Sequence, residues 1–229
     1  MSEPFFVLAS NSPRRRQLLA LTGRSFALQP ASIDEQPLPA ERPGDYVLRL
    51  AEEKARAAAG SPQGLFLGAD TTVASPLGDE ILGKPANARE ARDMLRSLRG
   101  REHTVYTAIA LYSQRGDARI ERELCATRVP MRAYSDAEID AYVASGDPLD
   151  KAGAYAIQHA GFHPVESLRG CYASVMGLPL CHLERALRRG GFLSGQDGPQ
   201  PEDVARACQA ELAYACPIFR AVLRGEDAG

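Results

Sequence analysis

Chemistry can be read first from Ser10-Asn11-Ser12-Pro13-Arg14-Arg15-Arg16, which joins an apolar stretch to a helical one. It places three successive arginines in a first helical turn, where cations oppose the helix dipole at about 0.3–1 kcal/mol each when exposed. The arrangement makes sense where an anion occupies the helix start, because backbone N–H groups, serine hydroxyls and guanidinium groups then converge on it. A solvated basic face with Ser12 as an ordinary cap is the plainer reading, and Arg16 is the member expected to face solvent.

Asp70 interrupts the apolar run Leu67-Gly68-Ala69-Asp70-Thr71-Thr72-Val73. Burying a carboxylate is costly unless it is paired, hydrogen-bonded or metal-bound, which makes Asp70 the leading metal ligand or water-activating base. A strand-end aspartate satisfied by backbone N–H groups is the alternative. Gly68 and Ala69 are expected to leave room for a ligand at the backbone. Magnesium is typically held by one or two carboxylates plus substrate phosphates. Glu35, beside Asp34 in a proline-rich loop, is the candidate second carboxylate, against the plainer reading of a solvated loop acid.

The 27 basic residues comprise 24 arginines and only three lysines, Lys54, Lys84 and Lys151, each beside a Gly- or Ala-rich segment. Lysine is a compact point charge that reaches a phosphate or carboxylate in a tight site, whereas arginine presents a broad fork. Each could be a surface charge or sit in an internal salt bridge, Lys151 with Asp150, but one triphosphate accounts for all three better than three separate coincidences do. Gln158, after the Gly-rich Lys151 segment, offers the donor and acceptor needed to read a pyrimidine edge. An ordinary loop glutamine is the competing view. His159 and His163 are not at metal-ligand spacing with any cysteine, His103 reads as a strand start and His182 as part of the last helix, and none of the four is assigned a catalytic role.

These residues need elements to position them. Phe5 to Ala9 reads as a buried strand, and Ser12-Pro13 as N-cap and N1 of a helix ending at Gly23. A weaker strand covers Ser25 to Gln29, then a loop runs from Pro30 to Pro43 and a helix from Pro43 to about Ala59. Leu65 to Ala74 is strand-like, and Pro76-Leu77-Gly78-Asp79 turns into a short strand ending near Leu82. Asn87-x-x-Glu90 and Ser135-x-x-Glu138 are capping boxes opening helices that stop at Gly100 and Gly146. Between them lie two longer strands, His103 to Ser113 and Arg119 to Met131, joined at Gly116-Asp117. A final helix of residues 1–190 follows Leu178-Pro179 and reaches Arg189. Residues 191–229 form an extension: a polar linker from Gly190 to Pro201, then a helix-prone tail from Pro201 to Arg224. That tail could pack back on the domain or bind another subunit. The alternation implies an α/β fold with a mixed sheet.

Bulk properties exclude several classes. A net charge of −2 gives no global field toward nucleic acid or an anionic membrane. Beyond Arg14 to Arg16 and Arg188-Arg189 no basic surface with interleaved aromatics is present. No apolar run approaches the roughly 18 residues of a membrane span. Glu3 stands where a secretory signal would be basic, and five cysteines without a C-x-x-C pair suit a reducing cytosol, so the expected location is cytoplasmic.

The chain resembles the Maf nucleotide pyrophosphatases from about Phe5 to Leu187. The resemblance rests on Leu8-Ala9-Ser10-Asn11-Ser12-Pro13-Arg14-Arg15, Glu53-Lys54-Ala55, Gly68-Ala69-Asp70-Thr71, Gly83-Lys84-Pro85, Asp150-Lys151-Ala152-Gly153-Ala154-Tyr155, Ile157-Gln158 and Gly177-Leu178-Pro179-Leu180, in that order and spacing. It implies an inosine-triphosphatase-like α/β fold with a mixed twisted sheet flanked by helices, to which the C-terminal helical extension is added. It also implies a homodimer, dependence on a divalent cation (magnesium or manganese), and release of pyrophosphate from nucleoside triphosphates. By the same carry-over Asp70 is the proton acceptor and Glu35 its metal partner. Ser10, Ser12, Arg15, Lys54, Lys84 and Lys151 bind phosphates, and Arg14, Thr71 and Gln158 set the base preference of the branch acting on dTTP and UTP. CTP and modified pyrimidine nucleotides are further substrates this leaves open. The 7-methyl-GTP branch has an aromatic residue where this chain has Arg14, and lacks the Ile-Gln pair. Two positions depart from the family pattern: Ala156 and His159 each replace a usual glycine and stiffen the loop that should touch the base. A non-catalytic nucleotide-binding regulator of cell division is the rival from another class.

Overall fold

The computed structural model describes residues 5–60, 64–78, 80–192 and 199–226. Its strands are β1 (Phe5–Leu8), β2 (Phe26–Leu28), β3 (Gly64–Ala74), β4 (Ile81–Leu82), β5 (Glu102–Ser113) and β6 (Arg119–Pro130). They form one mixed sheet in the order β2-β1-β3-β5-β6, with β4 paired to the end of β3. The β2-β1-β3 pairings are parallel, and β3-β4, β3-β5 and β5-β6 are antiparallel. The expected mixed α/β architecture is therefore observed.

The helices are α1 (Pro13–Ala20), α2 (Pro43–Ala57), α3 (Ala88–Leu98), α4 (Asp136–Ala144), α5 (Tyr172–Val175), α6 (Leu180–Arg189), α7 (Pro201–Glu211) and α8 (Phe219–Leu223). None among the described residues is long and apolar enough to cross a membrane.

Alternation along β3 decides which layer each residue meets. Leu65, Leu67 and Ala69 join a cluster with Leu18 and Leu19 of α1 and Leu183 and Leu187 of α6. Phe66, on the other face, packs with Val47, Ala51 and Ala55 of α2. Each fully buried leucine in such a cluster contributes roughly 1.5–3 kcal/mol. Farther along, Val73, Val105 and Val129 belong to a third cluster with Leu95 and Leu98 of α3 and Ile139 and Tyr142 of α4. β3, β5 and β6 thus run from one lobe into another.

Gly68 corrects the expectation of space for a ligand. A Cβ there would lie 2.0 Å from the Ala51 carbonyl oxygen and 2.6 Å from the Ala55 nitrogen, so the missing side chain makes room for the α2 backbone. One edge of β3 is also interrupted. β1 accompanies β3 only to Leu8↔Leu67, and β4 begins at Val73↔Leu82. Residues 68–72 keep β5 on their other edge, with no strand between β1 and β4 among the described residues.

Local signals differ in outcome. Ser12 caps α1 and accepts from the Arg15 N–H, but α1 ends at Ala20 rather than at Gly23. The Ser135–Glu138 capping box forms in both halves. At α3 the box is incomplete: Asn87 accepts from the Arg89 and Glu90 N–H groups, while the Glu90 carboxylate takes the Ala86 N–H at 2.7 Å instead of that of Asn87. Asp79 of the expected turn lies outside the described residues, as do 193–198 of the linker.

The tail is two helices rather than one continuous run. Ala213 adopts φ +45°, and Pro217, which cannot continue a helix interior, separates α7 from α8. Of the two readings of the tail, packing back is what the structure shows: Val204 and Cys208 join the cluster beneath α1 and α6, and Val222 is buried.

Candidate active site

The eleven residues singled out for chemistry line a single cleft of about 770 Å³: Ser10, Ser12, Arg14, Arg15, Glu35, Lys54, Asp70, Thr71, Lys84, Lys151 and Gln158. It opens where β1 has ended and β4 has not begun. The close approach of α2 at Gly68 carries Lys54 onto the same face of β3 as Asp70, two residues farther along.

At the centre one cation lies between two carboxylates. Lys54 Nζ is 2.6 Å from Asp70 Oδ1 and 2.6 Å from Glu35 Oε1. Asp70 and Lys54 are buried, whereas the Glu35 side chain is 53% exposed. Burial raises the Asp70 pKa above the ordinary carboxylate value, and the Lys54 and Arg15 charges reverse only part of that rise. Burial acts the same way on Glu35, but the hydrogen bond and charge of Lys54, helped by Lys84 and Arg15, outweigh it and leave Glu35 lowered. The two carboxyls are therefore pushed apart, the buried one above and the exposed one below the ordinary carboxylate value.

Glu35 owes its position to α2. Tyr46 donates its hydroxyl to the Glu35 carbonyl at 2.8 Å, and Arg49 Nη2 donates to the Gln36 carbonyl at 3.1 Å while its guanidinium also pairs with Glu41. These anchors fold the proline-rich loop over the cleft. The Tyr46 pKa is pushed up to about 12 by burial and by the Asp70 and Glu35 charges.

Arg15 supplies the opposite wall. Its Nε donates to the Gly177 carbonyl at 3.0 Å, Nη1 to Ser10 Oγ at 3.3 Å and Nη2 to Thr71 Oγ1 at 3.3 Å. Burial lowers its pKa, with Asp70 acting against that. Arg14 is half-buried and lines the cleft, and Arg16 is exposed as expected.

The remaining lysines differ. Lys84 is exposed on the turn after β4, which is tied to the Lys151 segment by the Gly153 N–H donating to the Gly83 carbonyl at 3.1 Å. Lys151 Nζ is already committed to the Asp147 carbonyl (2.6 Å), Asp147 Oδ1 (3.0 Å) and Asp150 Oδ1 (2.6 Å). The salt bridge with Asp150 is real, and a phosphate there must displace one of these acceptors. His159 turns away from the cleft: its Nδ1 accepts from the Phe162 N–H at 2.9 Å and its ring packs on Tyr142, so only Gln158 of that turn lines the site. His103 stays apart, buried against Tyr155 with its pKa pushed down to about 4 by burial.

Tyr46, Asp147 and Thr107 are participants the sequence did not flag. Thr107 is an ordinary strand former by type; only its register opposite Thr71 marks it.

Chemically, the cleft combines a buried carboxylate with a cationic wall. Among the described residues no three His, Cys, Asp or Glu side chains gather as a metal-binding set. Asp70 and Glu35 around a shared cation nevertheless suit a hard divalent ion whose other ligands are phosphate oxygens and water.

A family model described as "Maf-like protein" matches residues 5–190. The chain is 51% identical over 190 residues to a dTTP/UTP pyrophosphatase of Anaeromyxobacter dehalogenans, spanning 82% of this chain and 95% of that one. It is 45% identical over 194 residues to a dTTP/UTP pyrophosphatase of Geobacter sulfurreducens, spanning 84% and 100%. Among solved structures, a HAM1 protein from Coxiella burnetii aligns at a TM-score of 0.46 and 15% identity, over 93% of this chain and 100% of that one.

Proposed function

The chain belongs to the Maf-like protein family, and from that premise we propose that it is a pyrophosphatase hydrolysing dTTP and UTP to the monophosphate and pyrophosphate. The observation that carries this reading is the Glu35–Lys54–Asp70 cluster facing Arg15 across one cleft. CTP and modified pyrimidine nucleotides are admitted as further substrates, and the role is house-cleaning of the nucleotide pool. The cysteine pattern is the ground on which we place the enzyme in the cytoplasm, and family membership the ground on which we propose a homodimer.

In the proposed reaction Asp70 takes the proton of a water whose oxygen attacks the α-phosphorus. The bond from that phosphorus to its bridging oxygen breaks, and pyrophosphate leaves with the electron pair. Arg15, Lys54 and Lys84 stabilise the charge gathering on the leaving group in a partly desolvated cleft. Magnesium or manganese, held by Asp70 and Glu35, would neutralise phosphate charge and polarise the phosphorus–oxygen bonds. Arg14 and Gln158, at the cleft rim, are assigned to the base.

A nucleotide panel with magnesium, scored for pyrophosphate release, tests this. We expect dTTP and UTP to be cleaved and Asp70→Asn to abolish the reaction. Wild-type turnover in Asp70→Asn would overturn the assignment of the base. Nucleotide binding without pyrophosphate release under any divalent cation would favour a regulator, and a preference for 7-methyl-GTP would move the chain to the other branch.

A further inference from the structure

The threonine pair beneath Arg15 has only one consistent arrangement of hydrogens. Thr71 Oγ1 is 2.9 Å from Thr107 Oγ1, and Thr107 Oγ1 is 2.7 Å from the Ser174 carbonyl oxygen. A carbonyl only accepts, so Thr107 spends its one hydrogen on Ser174. Thr107 must then accept from Thr71, which spends its own hydrogen there. What remains on Thr71 is an acceptor, and it receives Arg15 Nη2.

The relay closes on itself. Ser174, which takes the Thr107 hydroxyl, also accepts the Gly177 N–H at 2.8 Å, and the Gly177 carbonyl accepts Arg15 Nε. One short segment, α5 with the turn after it, therefore anchors both ends. Packing around the ring is tight: a Cβ on Gly177, whose φ is +106°, would stand 3.2 Å from Thr71 Oγ1 and 3.3 Å from Arg15 Nε. Thr107 itself is fully buried and directly opposite Thr71 in the β3–β5 register.

We propose that Thr107 is a positioning residue: it orients the Thr71 hydroxyl as an acceptor and thereby fixes the Arg15 guanidinium that meets the triphosphate. This rests on the pyrophosphatase reading for its kinetic consequence, but not for its geometry. It also narrows the role implied for Thr71 in base preference. With its hydrogen turned inward, Thr71 presents only acceptor lone pairs to the cleft: one takes Arg15 Nη2, and the other suits a donor such as the N3–H of uracil or thymine rather than a ring carbonyl.

Thr107→Val keeps the shape and removes the hydroxyl, and Thr107→Ser keeps the hydroxyl. The first readout is the Arg15 Nη2 hydrogen signal in nitrogen-15 spectra of the ligand-free protein, since that nitrogen is the one Thr71 accepts. It should be protected from solvent exchange in wild type, lose that protection in Thr107→Val and regain it in Thr107→Ser. The second is steady-state pyrophosphate release. Thr107→Val should lower kcat/KM about tenfold for dTTP and UTP alike, mainly through KM, and Thr107→Ser should restore it. If Thr107→Val does not fold, Thr71→Val breaks the same relay from the cleft side and should expose the same Arg15 signal. An Arg15 signal unchanged by the valine substitution overturns the proposal whatever the kinetics. Absence of pyrophosphate release from wild type would remove the pyrophosphatase reading alone, and the Arg15 signal would still decide the relay.

Discussion

Gly68→Ala adds one methyl group and tests how the cleft is assembled. The new Cβ would stand 2.0 Å from the Ala51 carbonyl oxygen and 2.6 Å from the Ala55 nitrogen, both backbone atoms of α2. Restoring even a tight contact requires α2 to recede from β3 by about 1 Å or more. Lys54 rides on α2, so its 2.6 Å contact with Asp70 stretches toward the limit of a hydrogen bond. Overpacking of this kind costs about 1–3 kcal/mol, which for a chain of this size lowers Tm by roughly 2–12 °C. A displacement of that size among reacting groups costs about 100-fold in rate. The assays are thermal unfolding and kcat/KM for pyrophosphate release from dTTP. We expect both to fall together, with Asp70 still in place. If Tm is unchanged and KM alone rises, the space at Gly68 belongs to the ligand and the reasoning from helix contact is refuted. If neither changes, α2 does not sit where the backbone distances put it.

Two further outcomes follow from the same contacts. Lys54→Met removes the positive charge that offsets the burial of Asp70, so its already raised pKa climbs further; because a base acts deprotonated, the acid limb of kcat/KM should move to higher pH. An unmoved limb would show that another group sets it. Val204→Asp places a carboxylate at a fully buried position of α7, a cost of about 3 kcal/mol or more, and Tm should fall by roughly 6–12 °C. An unchanged Tm would mean the tail is not part of the core.

Much of this site was legible because its residues contradict their local context. Asp70 is a carboxylate in an apolar run, and Arg14 and Arg15 are cations at a helix start. Such residues need a shared partner, and a common cleft supplies one. Glu35 was legible only as a type. Its place depends on Tyr46 and Arg49, whose contacts with the loop carry no motif. Gly68 was misread because a strand glycine signals close approach without saying from what. Thr107 escaped notice because a threonine in a strand is ordinary until register sets it opposite another. The strands were placed to within a few residues by apolar pattern and turn residues, since those follow local rules. The break in the tail was missed although Pro217 was visible, because the apolar residues on both sides of it continue a helix-like spacing.

The interruption along β3 divides the labour of its two edges. From Gly68 to Thr72 one edge is laddered to Ala110 through Tyr106 of β5, which holds the backbone of Asp70 in register. Among the described residues the opposite edge meets no strand over that stretch, so polar backbone groups there are open to side chains, water or a guest. The protein has not hollowed a pocket out of a finished sheet; it has left a strand out. Changes that reshape the guest's side of this gap need not disturb a single rung on the other, so selectivity can drift while the machinery stays aligned.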